Sequence, residues 1–92
     1  MPSANVNSKQ AEIEKQSRES LNALIGEQVL QRLGRPVSLL TVQVRKLWDD
    51  RYRANVFIGA NAASAMVTHS YFLVADGEGN ITAATPAIVK AY

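Results

Sequence analysis

The stretch TVQVRKLWDDRYRANVFIG, Thr41–Gly59, decides the fold. Apolar and polar residues alternate on both sides of Asp49-Asp50, the period-2 pattern of two strands joined by a tight turn. Cross-strand partners share a face, so the hydrophobic pattern can test the register. A three-residue loop at Asp49–Arg51 pairs Trp48 with Tyr52, Lys46 with Ala54, Val44 with Val56 and Val42 with Ile58. The other face then pairs Leu47 with Arg53, Arg45 with Asn55 and Gln43 with Phe57. A two-residue loop opposes Val44 to Asn55 and mixes the faces, so the three-residue register is expected. It sets Trp48 and Tyr52 on one face and Arg45 and Arg53 on the other. Lys46 and Arg51 fall near the tip, where Asp49 and Asp50 offset part of their charge.

Toward the N-terminus, Leu21, Ile25, Val29 and Leu33 recur every four residues, and Leu24 and Leu30 widen the stripe. This is one apolar face of a helix. Asn7 or Ser8 can cap its start. Gly34, followed by Pro36, marks its end, as a left-handed C-cap requires. A helix over these bounds has about 26 residues and a length of roughly 39 Å. Gly26 inside it costs about 1 kcal/mol relative to alanine, and allows close approach to the sheet or lines a small cavity. Residues 1–7 are expected to form a flexible tail, and 8–92 a single α+β domain.

Toward the C-terminus, two further period-2 segments follow, so strands are expected at Val37–Trp48, Arg51–Gly59, Ala65–Ala75 and Ile81–Lys90. The short connections make antiparallel hairpins in sequential order. The expected fold is one long N-terminal helix packed on a four-stranded antiparallel meander. Pro86 interrupts the last strand and places it at an edge or a bulge. The helix stripe is expected on the face holding Val42, Val44, Val56, Ile58, Val67, Tyr71 and Leu73. One helix covers one face. The other face then exposes Leu47, Phe57, Met66, Phe72 and Val74, an apolar group of the kind that marks a contact surface.

Ninety-two residues, 47% apolar and 20% charged, have an ordinary globular composition. The absence of cysteine excludes disulfides and thiolate chemistry. No apolar run reaches the roughly 18 residues of a membrane span. The polar N-terminus MPSANVNSKQ does not read as a signal peptide, so a cytoplasmic location and no membrane partner are expected. A net charge of +2 does not demand a polyanionic partner.

No catalytic, metal or cofactor-binding residue is assigned. His69, the single histidine, reads as a hydrogen-bonded strand residue or as a general base. Asp76-Gly77-Glu78-Gly79-Asn80 alternates oxygen ligands as a calcium loop begins. Ile81 and Ala87 stand where such a loop needs glycine and glutamate, so a glycine-rich turn is preferred.

A helix followed by a four-stranded antiparallel meander resembles the cystatin-like arrangement, and is similar to a reduced nuclear-transport-factor-like cone. The protease-inhibiting Gln-x-Val-x-Gly hairpin of cystatins is not matched by Gln43-Val44-Arg45-Lys46-Leu47. The run HSYFLVADGEGNITAATPAIVKAY, His69–Tyr92, resembles the end of a small bacterial protein. The function expected first is a non-catalytic binding or assembly protein acting as a homodimer through the open sheet face. The alternatives are a small-ligand binder or enzyme with a helix–sheet pocket at Trp48, Tyr52, His69 and Tyr71, and weak nucleic-acid binding by the 45–53 hairpin. The division of the basic residues between face and tip speaks against nucleic acid.

Overall fold

The stripe Leu21–Leu33 needs a surface to bury against, and the sheet supplies it. A computed structural model describes residues 2–92, with side chains from residue 17 onward. It contains α1 (Pro2–Leu33), β1 (Leu39–Trp48), β2 (Arg51–Ile58), a 3-10 turn at Ala62–Ser64, β3 (Met66–Ala75) and β4 (Ile81–Thr85). The strands form one antiparallel sheet in the order β1-β2-β3-β4. This is the expected α+β meander. The tail expected at 1–7 and the cap at Asn7 or Ser8 lie outside the residues whose side chains are described. No helix among the described residues is long and apolar enough to cross a membrane.

Ile25, Val29 and Leu33 are fully buried against Tyr52, Ala54, Val56, Tyr71, Leu73, Ala75 and Ile81. Leu21, Val42 and Val44 pack around that core. Burying three such helix side chains favours folding by roughly 5–9 kcal/mol before entropy costs. Gly26 faces β1. A Cβ there would lie 3.6 Å from Val44 and 3.8 Å from Val42, ordinary contact distances, so the site has room for a methyl group. Gly34 ends the helix with φ of 91°, and its N–H donates to the Leu30 carbonyl at 2.7 Å.

The hairpin register differs from the three-residue expectation. Trp48 pairs with Arg51 across a two-residue turn, and Asp49 takes a left-handed φ of 46°. Lys46 then pairs with Tyr52, Arg45 with Arg53, Val44 with Ala54 and Val42 with Val56. Between Lys46 and Trp48 the register shifts, and Leu47 is the extra residue of a bulge. A bulge adds one residue to one strand and so restores the parity that a two-residue loop would otherwise break. The faces of β1 below Leu47 are therefore as expected, but Trp48 moves to the opposite face. A second shift, between His69 and Val67, skips Thr68. Val67 pairs with Phe57 and Met66 with Ile58, so both change faces relative to the expectation.

The fourth strand stops at Thr85 rather than Lys90. Pro86 has no N–H to continue a ladder. The chain turns back to the end of α1 instead. The Ala91 and Tyr92 N–H groups donate to the Leu33 carbonyl at 2.8 and 3.2 Å. Two carbonyls of the last helical turn, which lack intrahelical partners, thus find donors in Gly34 and in this segment.

Candidate binding face

The sheet face away from α1 has no covering layer among the described residues. Register places on it Gln43, Arg45 and Trp48 of β1, Arg51, Arg53, Asn55 and Phe57 of β2, and Val67, Ser70, Phe72 and Val74 of β3. Ala83 and Thr85 of β4 complete it. None of these is acidic. Trp48 is 58% exposed, Phe72 48% and Val67 48%.

Two grooves cross this face. One, of about 270 Å³, lies near the hairpin tip and is lined by Trp48, Arg51, Phe72, Val74, Ala83 and Thr85. The other, of about 420 Å³, crosses β1 and β2 between Gln43, Arg45, Arg53 and Asn55. Arg53 joins them, because its guanidinium carbon sits 4.5 Å from the centroid of the Phe72 ring. That is a cation–π contact, which leaves the guanidinium N–H edges free for hydrogen bonds. The Ser70 hydroxyl donates to Asn55 Oδ1 at 2.6 Å and fixes the amide beside the second groove.

Electrostatics on this face are unbalanced. Arg45 stands directly opposite Arg53. Like charges directly opposed across a ladder destabilise a sheet. Among the described residues neither has an ion-pair partner; the ion pairs present are Glu27–Arg35 at 2.9 Å and a long Asp50–Arg51 contact of 3.9 Å.

Of the expected contact group, Phe72 and Val74 lie together on the open face, and half-buried Phe57 lies further along it. Leu47 is the bulged residue, and Met66 shares the opposite face with Ile58. The four residues expected around a helix–sheet pocket do not converge. Trp48 is on the open face, while Tyr52 and Tyr71 are buried in the core. Burial, with Asp50 for Tyr52 and Tyr92 for Tyr71 as smaller causes, raises both phenol pKa values and keeps the hydroxyls neutral. His69 is half-buried at the rim, its ring 6.2 Å from and parallel to Tyr71, with Nε2 3.0 Å from the Tyr92 hydroxyl. A shallow groove runs between it and the 86–91 segment, outside the core.

The glycine-rich turn uses its carboxylate for structure. Asp76 Oδ1 accepts from the Glu78 and Asn80 N–H groups at 2.9 and 3.0 Å, and Oδ2 from the Asn80 side-chain amide at 3.1 Å. These hydrogen bonds, those from Asn80 first, hold the Asp76 pKa below its ordinary value. Gln28 and Arg32 then dock the turn on α1 through Asn80 and the Ile81 backbone.

The contribution of Trp48 to the open face was missed because loop length and alternation alone fix its parity, and a bulge reverses it. The Asp-Asp pair was the available signal, since aspartate tolerates left-handed φ in a two-residue turn. No family model, curated protein or solved structure matches the chain.

Proposed function

We propose that the protein is a small non-catalytic binding module that presents the open face of its sheet to a partner carrying negative charge. The observation that carries this reading is the Arg45–Arg53 cross-strand pair beside uncovered Trp48 and Phe72. Like charges directly opposed across a ladder cost a sheet stability, and on this reading a bound anion relieves them. On this reading the cystatin-like arrangement serves as a rigid backing for the face, in a cytoplasmic protein.

Self-association through the same face competes with this reading. In a twofold contact the same patch meets itself. Arg45, Arg51 and Arg53 of one copy would then approach those of the other, with no acid on the face to separate them. Charge therefore favours a different partner. The test is a titration of the full chain with heparin at low salt, read through the emission of Trp48, the one tryptophan. Saturable binding that weakens with salt and is lost in Arg45→Glu/Arg53→Glu supports the reading. Absence of binding overturns it. So does a dimer in light scattering that Phe72→Asp dissociates, which would return the face to self-association.

A further inference from the structure

Resting on that reading, we infer that the partner is single-stranded nucleic acid, with bases stacked on Trp48 and Phe72 and phosphates held by Arg45, Arg51 and Arg53. Single-strand binders combine cationic grooves that follow the backbone with exposed aromatic rings on which bases stack. Both parts occur here on one sheet face, and they are interleaved. The apolar groove has an aromatic ring on β1 and another on β3, with Arg51 between them on β2. The adjoining groove has two guanidinium groups and the amides of Gln43 and Asn55, groups able to meet phosphates and base edges. Arg53 links the two, lining the polar groove while its guanidinium lies over Phe72 of the apolar one.

The bulge at Leu47 is what assembles this site. With Trp48 on the helix side, the face would carry arginines without a ring on β1. With the bulge, Trp48 pairs with Arg51, which pairs with Val74 next to Phe72's own row. An acidic peptide would satisfy the arginines but has no flat group suited to both rings. A duplex keeps its bases stacked on each other and offers the rings nothing to stack on. A single strand supplies the anion and the exposed π-face together.

The test compares four probes on the full chain: an oligothymidylate, a duplex containing it, inorganic polyphosphate and an oligoglutamate peptide. The oligothymidylate is expected to bind best and to quench Trp48, with a logarithmic salt slope of about −2 for three phosphate contacts. Phe72→Leu keeps an apolar side chain and removes the ring. It is expected to weaken oligothymidylate binding by about fivefold or more, to weaken polyphosphate binding, which needs no ring, much less, and to retain the wild-type circular dichroism. Arg45→Gln should make the slope shallower by about 0.7. Polyphosphate binding as tightly as the oligonucleotide, or an oligonucleotide that Phe72→Leu binds equally well, overturns the inference while leaving an anionic partner in place. A preference for oligoglutamate or the duplex overturns it in favour of that class. Failure of all four removes the binding reading of the face as well.

Discussion

The two faces of the sheet are built to opposite rules. On the helix side, Ile25, Val29, Leu33, Val56 and Leu73 exclude water almost completely, and among the described residues no fully buried side-chain nitrogen or oxygen lacks a hydrogen-bond partner. On the open side, two arginines are opposed, an indole and a phenyl ring are about half exposed, and among the described residues no acid pairs with either of the opposed arginines. One sheet supports both because alternate residues along a strand belong to different faces. The first face explains why the chain folds. The second contains features that folding does not explain.

The contrast predicts unequal responses to substitution. Ile25→Asp places a carboxylate in a fully buried position, and the loss, about 4 kcal/mol or more, takes most of the stability of a small domain. A far-ultraviolet circular dichroism melt should show no folded baseline, while Arg53→Ser on the open face should melt within a few degrees of wild type. An Ile25→Asp protein that melts normally would remove the distinction between the faces. Gly34→Ala is next. It forces a side chain into a φ of 91° and sets its Cβ 2.7 Å from the Tyr92 carbonyl oxygen, a position that only glycine tolerates. About 1–2 kcal/mol should be lost for the left-handed conformation, with more from the contact, as read by urea denaturation.

Gly26→Ala should act in the opposite direction. The methyl group fits against Val42 and Val44. Removing glycine from a helix interior should add about 0.5–1 kcal/mol, a rise of several degrees in Tm. A drop would mean that α1 lies closer to β1 than these distances say. The smallest effect is expected at Arg45→Thr. Relief of the opposed charges should raise stability by a few tenths of a kcal/mol at low ionic strength, and the gain should vanish in salt. A loss of stability instead would show that Arg45 already has a partner, and would weaken the case for a binding face.

Much of this was legible in the sequence for a specific reason. The stripe Leu21–Leu33, the Gly34-Arg35-Pro36 stop and the short loops are local signals, each sufficient for its own element. The faces of Val42, Val44, Val56, Tyr71 and Leu73 followed because alternation is a local rule too. Trp48, Val67 and Met66 were misplaced because bulges at Leu47 and Thr68 arise from pairing between strands. Neither residue carries a mark of it in composition. The fourth strand was read too long for a related reason: Ala87–Lys90 continues an apolar alternation, but the chain leaves the sheet at Pro86, and the residues that follow, Ala91 and Tyr92, donate to the helix end rather than to β3. Half-buried Ile88 shows where that alternation was directed, since it packs on the core from outside the sheet.

The two hydrogen bonds from Ala91 and Tyr92 to Leu33 have a kinetic meaning. They close a ring of about 60 residues, and joining the ends of a chain that long costs about 3–4 kcal/mol of loop entropy. Such a contact cannot lead folding. The intervening hairpins must shorten the ring first, so the clasp forms after β1–β4 have paired and is among the first contacts to open. Amide hydrogen exchange should see this as rapid exchange at 91 and 92 while the centre of β2 stays protected to the global limit. The molecule therefore has a latch whose release uncovers the helix end and the His69 rim without unfolding the sheet behind the open face.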